Sequence, residues 1–196
     1  MIPTKLVLAS SSPRREELLE QLDLNFTIVP SKIEEDKFYN LSPEILVKQL
    51  ASAKAEAVAE LVEDTIVIAA DTIVVYKDEI LGKPDNTDDA RKMLNKLKGS
   101  KHRVLSGLVV LSTIENEMLV DYDETEVFMR NLDENEINGY INSGEPFDKA
   151  GAYGIQGLGG IFIEKIRGSY YTVVGLPIHK LAVMLKKFSI EILSTA

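Results

Sequence analysis

Ser12-Pro13-Arg14-Arg15 opens a helix with the wrong charge. Ser12 suits an N-cap and Pro13 the first helical position, and Leu18, Leu19 and Leu22 then recur at helical spacing. A helix N-terminus carries partial positive charge and unpaired N–H groups, so an acid belongs in its first turn. Other helix starts in the chain obey this rule: Ser42-Pro43-Glu44, Thr87-Asp88-Asp89 and Asp133-Glu134. A cation set against the dipole costs about 0.3–1 kcal/mol. A bound anion such as phosphate offsets that cost, because N–H groups, dipole and guanidinium forks all favour it. Salt bridges to the chain's many acids are the alternative, and these residues alone leave the two readings level.

A carboxylate is what such a cluster lacks for chemistry. Asp71 follows the apolar run Ile66 to Ala70 and is expected at the end of a central strand. Open α/β sheets bind ligands beyond the carboxyl ends of their strands. There Asp71 could coordinate Mg²⁺ or activate water, or simply bond to its own backbone. Glu34, Glu35 and Asp36 offer further hard oxygen donors in a polar loop, although taken alone such a run is more often a solvated acidic loop.

Lys54 stands alone in the Ala-rich stretch ASAKAEAVAE. Small neighbours let a ligand or a backbone come close, although an exposed lysine is the commoner outcome. Lys83, between Gly82 and Pro84, sits on a constrained turn from which it could reach a phosphate. The spacing of a P-loop is missing, which excludes Walker-type ATP binding. The stretch Asp148 to Gly157, DKAGAYGIQG, is rich in glycine but lacks the strand before and helix after that a dinucleotide fingerprint requires. It reads as a loop able to present Gln156 to a base edge, since an amide donates and accepts at once. His102 and His179 stand far apart in a chain without Cys, which argues against zinc. Ser10, Ser11 and Ser12 have neither a nearby His nor a G-x-S-x-G setting, which argues against a serine hydrolase.

The frame for these residues is mixed α/β. Strands are expected at Lys5 to Ala9, Phe26 to Val29, Ile66 to Ala70 and Ile73 to Tyr76, with a hairpin turn at Lys77-Asp78-Glu79. Helices are expected at about 43–61, 87–97, 133–142 and 177–187. A long hairpin is expected over 103–112 and 118–130, a Gly-rich loop over 143–160, and a strand at 161–166. Strands alternate with helices and then a hairpin intrudes, which implies a long mixed sheet with helices on its flanks. A length of 196 residues suits one domain, with room for two lobes. No apolar run reaches the ~18 residues of a membrane span, and no signal peptide is visible at the start. The absence of Cys fits a reducing cytosol, so a cytoplasmic location is expected. A net charge of −9 argues against nucleic-acid binding; a polyanion would need a local basic cluster and a divalent cation.

Taken together, these motifs resemble one family. LASSSPRREELL, residues 8–19, is similar to the opening signature of the Maf family of nucleotide pyrophosphatases. Ala70-Asp71-Thr72, Gly82-Lys83-Pro84 and Asp148 to Gly157 match its later motifs in order, from about residue 5 to residue 188. The resemblance implies a single Maf-like domain over residues 1–196: an elongated mixed β-sheet flanked by helices, with two lobes and a central cleft, akin to the inosine triphosphate pyrophosphatases. It implies hydrolysis of nucleoside triphosphates to monophosphate and pyrophosphate with a divalent metal, Mg²⁺ or Mn²⁺. By resemblance Asp71 is the catalytic acid-base residue and a metal ligand, with Glu34 as a second ligand. Arg14, Thr72 and Gln156 match positions of substrate choice, and the Asp-Thr and Ile-Gln-Gly variants resemble the subgroup acting on dTTP and UTP. Ser10, Arg15, Lys54 and Lys83 fall at the family's other polar positions, expected to hold substrate. A homodimer is what the family suggests. The alternatives are a non-catalytic nucleotide sensor regulating cell division, and a sugar-phosphate transferase or phosphatase using the same anion site.

Overall fold

The computed structural model describes residues 5–33 and 41–193. Seven strands form one sheet: β1 (Lys5–Leu8), β2 (Phe26–Ile28), β3 (Thr65–Tyr76), β4 (Glu79–Leu81), β5 (Lys101–Ser112), β6 (Glu117–Met129) and β7 (Ile163–Arg167). Their order is β2-β1-β3-β5-β6-β7, with β4 paired to β3. β1 runs parallel to β2 and β3, whereas β3 with β4 and β6 with β7 are antiparallel, so the sheet is mixed as expected. The helices are α1 (Pro13–Glu20), α2 (Pro43–Ala59), α3 (Thr87–Leu97), α4 (Glu134–Asn142), α5 (Tyr170–Val174) and α6 (Ile178–Lys187). None of them is long and apolar enough to cross a membrane.

The largest departure from expectation is β3. The break expected at Asp71 does not occur; the strand runs unbroken through twelve residues. No Gly or Pro interrupts it, and Asp71 is accommodated by a partner described below. Successive side chains of a strand face opposite ways. Asp71 therefore shares a face with Val67 and Ala69, while Thr72 shares the other with Val74. The strand ends where Lys77 and Asp78 take φ of 47° and 59°, the two left-handed residues of a two-residue hairpin turn into β4.

The chain divides into two compact units. The first comprises Met1–Asp71, Ser106–Asp123 and Gly175–Ala196. Its core joins Ala51, Ala55 and Val58 of α2 to Val7, Ala9, Val67, Ala69 and Val109 of the sheet. Small residues set that distance. A Cβ on Gly107 would lie 2.1 Å from the Val47 carbonyl oxygen, so only glycine lets β5 meet the α2 backbone there.

The second unit comprises Thr72–Leu105 and Glu124–Val174. Leu94 and Leu97 of α3, Ile137 and Tyr140 of α4, Val127 of β6 and Phe162 share its core. Both helices start on side-chain caps: Asn86 accepts from the Asp89 N–H at 3.0 Å, and Asp133 forms a reciprocal capping box with Glu136. The expected Gly-rich loop resolves into three short 3-10 turns, Glu145–Asp148, Ala150–Ala152 and Gly157–Phe162. The last of these takes residues 161 and 162 from the expected strand, so β7 begins two residues late.

Candidate active site

The first unit gathers two polar clusters at the carboxyl end of β1. The parallel register sets Leu8 against Ile68, and the Ala9 N–H extends the ladder to the Ile68 carbonyl at 2.8 Å. Ser10 follows immediately, buried at the level of the residues that precede Asp71. Its Oγ accepts from the Ser12 N–H and from Arg15 Nη1, each at 3.1 Å. Arg15 Nε donates to the Gly175 carbonyl oxygen at 2.8 Å. The charge that the sequence sets against the α1 dipole is thus partly answered within the protein, and Glu16 adds an acid to the same turn. Arg14 is half-buried beside it.

Asp71 and Lys54 form the second cluster. Lys54 lies on α2 three residues after Ala51 and four before Val58, within the stripe that packs on the Val67–Ala69 face of β3. That is also the face of Asp71, and Lys54 Nζ donates to Asp71 Oδ1. The commoner outcome for such a lysine, exposure, is overturned: the two side chains keep only 14% and 11% of their surface. Burying a lone carboxylate costs several kcal/mol, so the pairing is what allows an acid in the middle of an apolar strand.

The second unit carries the other candidates. Thr72 is half-buried, on the face of Val74, whose methyl groups lie against Gly151. Gly151 is held at φ 69°, where a Cβ would also sit 3.0 Å from Val74, and its N–H donates to the Gly82 carbonyl at 2.9 Å. That bond ties the turn of Lys83, which is exposed, to the stretch that leads to Gln156. Gln156 is half-buried, and its Oε1 is buried with no hydrogen-bond partner among the described residues. A buried acceptor left unmade costs about 1–3 kcal/mol, which a donor on a ligand would recover.

Glu34, with Glu35 and Asp36, lies outside the described residues. Among those described, no three His, Cys, Asp or Glu side chains gather as a metal cluster. Among the described residues Asp71 offers a carboxylate donor that suits Mg²⁺ or Mn²⁺, which take one or two carboxylates and complete their shell with phosphate and water. A cavity of about 530 Å³ lies around Lys5, Asn25, Phe26 and Thr65, at the other end of these strands, and none of the candidate residues lines it.

Sequence reasoning missed Glu145. Its carboxylate accepts from the Tyr140 hydroxyl at 2.9 Å and from the N–H groups of Leu158 and Gly159 at 2.9 and 3.2 Å. Burial alone would raise this carboxyl; the two backbone donors, the tyrosine and the Lys149 charge outweigh it and hold it below the ordinary carboxylate range. Burial, then the hydrogen bond to the Glu145 carboxylate and its charge, pushes the Tyr140 hydroxyl well above its usual range. The signal was faint: one acid in Gly144-Glu145-Pro146 ahead of a run of glycines whose first N–H groups need an acceptor.

Comparison with known proteins bears on the whole chain. The family model described as Maf-like protein matches residues 5–188. A dTTP/UTP pyrophosphatase of Bacillus cereus (strain G9842) is 50% identical over 188 residues, covering 96% of this chain and 97% of that protein. One from Pelotomaculum thermopropionicum is 46% identical over 189 residues, covering 96% and 99%. A solved structure, that of the Staphylococcus aureus Ham1 protein, aligns with TM-score 0.47 and 15% identity over 64% of this chain and 71% of that one, too partial a match to bear on the fold. With one family model spanning nearly every residue and relatives near half identity end to end, the chain belongs to the Maf-like protein family.

Proposed function

We propose that this chain is a nucleoside triphosphate pyrophosphatase that hydrolyses dTTP and UTP to the monophosphate and pyrophosphate. The names borne by relatives of near half identity support the reaction class. The observation that carries it for these residues is the buried Asp71–Lys54 pair. Asp71 is the group positioned to take a proton from water. The water oxygen attacks the α-phosphorus, the anhydride bond to the β-phosphate breaks, and pyrophosphate leaves with the bonding electrons. Lys54 guards Asp71 until substrate arrives. A triphosphate brings several negative charges and draws the flexible ammonium, releasing the carboxylate to act as base. Most of the rate enhancement comes from positioning and charge neutralisation, as in other phosphoryl transfers. A bound Mg²⁺ or Mn²⁺ would supply charge neutralisation on phosphate oxygens, with Asp71 as its protein ligand.

Base choice falls to Gln156. Thymine and uracil present an imide N–H flanked by two carbonyl oxygens, and an amide matches that edge by accepting from the N–H and donating to a carbonyl oxygen. The buried Oε1 of Gln156, without a hydrogen-bond partner among the described residues, is the acceptor such an N–H needs.

The test is incubation with a panel of nucleoside triphosphates and Mg²⁺ or Mn²⁺, with products resolved by chromatography. dTMP or UMP appearing with pyrophosphate in equal amounts is the expected result. Orthophosphate as the primary product would indicate a phosphatase, and binding without turnover a sensor; either overturns the proposal.

A further inference from the structure

We propose that Glu145 is a positioning residue for base selection: its carboxylate fixes the turn that carries Gln156. This rests on the reading of Gln156 as the base-recognising residue. Gln156 precedes the 3-10 turn Gly157–Phe162 in the N-cap position, and its own side chain makes no cap bond. The N–H groups of the first turn need an acceptor from elsewhere. Glu145 is that acceptor, taking both the Leu158 and Gly159 N–H groups on one carboxylate while Tyr140 donates from the side. A side chain thus replaces the missing local cap from eleven residues upstream of the residue it positions.

The neighbouring glycines record how closely this clamp is drawn. Gly157 has φ 72°, and a Cβ there would sit 2.8 Å from Glu145 Oε2. A Cβ on Gly159 would sit 2.6 Å from the Gly154 carbonyl oxygen and 2.7 Å from the Tyr140 hydroxyl. Lys149 holds Glu145 from behind: its Nζ donates to the Glu145 carbonyl oxygen at 2.7 Å and its stem fills the space that the missing side chain of Gly154 leaves. The backbone on both sides of Gln156 is therefore pinned, and a half-buried amide held this way can discriminate bases only while the pins hold.

The experiment compares wild type, Glu145→Ala, Glu145→Gln, Gln156→Ala and the double variant Glu145→Ala/Gln156→Ala. Steady-state hydrolysis of dTTP and dGTP is read for each, with a thermal melt. In Glu145→Ala the expected KM for dTTP rises about tenfold while kcat falls less than threefold, and the dTTP-over-dGTP preference narrows by a similar factor. The preference lost in the double variant equals that lost in Gln156→Ala alone, because both remove one device. Glu145→Gln, which keeps the shape and one good acceptor, recovers part of the preference and stands in if the alanine variant does not fold. An unchanged preference in both Glu145 variants, or losses that add fully in the double variant, overturns the proposal. If wild type hydrolyses no nucleotide, the pyrophosphatase reading falls by itself; the clamp is then judged by binding of a non-hydrolysable dTTP analogue. Equal affinity of wild type and Glu145→Ala for that analogue overturns it.

Discussion

Asp71 and Glu145 are carboxylates held by different kinds of donor. Asp71 is 8% exposed, and its partner is the tip of Lys54, an ammonium on a chain of rotatable bonds. Glu145 accepts from two successive backbone N–H groups and a tyrosine hydroxyl anchored in the core. A lysine can swing away and be re-paired with another anion at small cost in geometry. Backbone donors cannot leave without undoing the turn they belong to. The contrast separates a carboxylate that can enter a reaction from one that can only shape a surface. His102 adds a third arrangement. It is buried beside Tyr153, with Nε2 2.6 Å from the tyrosine oxygen, and burial lowers its pKa to about 4 and keeps it neutral.

The contrast is most exposed to failure at Asp71. Asp71→Asn should lower turnover of dTTP by about 10³-fold while changing nucleotide affinity less than tenfold, measured by pyrophosphate release and by titration. Near-normal hydrolysis would break the distinction, since Asp71 would then be architecture too. His102 predicts the next largest effect, through pH. Its folded-state pKa lies below the unfolded value near 6.5, so the unfolded chain binds the extra proton first. Its contribution is complete above pH 6.5 and is lost as pH falls towards 4, by roughly 3 kcal/mol in all. Urea unfolding of wild type and His102→Gln across that range should show curves that converge towards acid; parallel curves would refute it.

Lys54→Met leaves Asp71 buried without its cation. A loss of about 2 kcal/mol in unfolding free energy is expected, reduced from the fully buried case because both side chains retain some exposure, together with slower turnover. A variant as stable as wild type would mean the pair contributes nothing to holding β3 together. The smallest effect serves as the control. Asp133→Ala removes half of the α4 capping box and should cost about 1 kcal/mol in a melt. Activity should be unaffected, since the hydrogen bonds of that side chain go to the first N–H groups of its own helix.

Local signals were legible in the sequence, and non-local ones were not. α3 and α4 announce themselves by caps and period, and α3 spans the residues expected of it. The residues of the candidate site were legible as chemistry. What they touch was not, wherever the partner lies far along the chain. An acid in an apolar run looks like the end of a strand; the lysine that lets the strand continue comes seventeen residues earlier. The carbonyl that engages Arg15 comes 160 residues later. α5 was missed for another reason: Tyr-Tyr-Thr-Val-Val is built of β-favouring residues, and tertiary packing of Thr172 and Val174 overrides that preference.

The unbroken course of β3 also bears on how this gene can change. Asp71 and Thr72 are adjacent yet face opposite sides, and that assignment depends on counting from the ladder that starts at Lys5 and Thr65. Substitutions can be tried at each position separately. Insertion of one codon between residues 65 and 71 would exchange the two faces at once, turning the acid away from its lysine. Changes that preserve the length of this segment keep the acid on the side of its lysine.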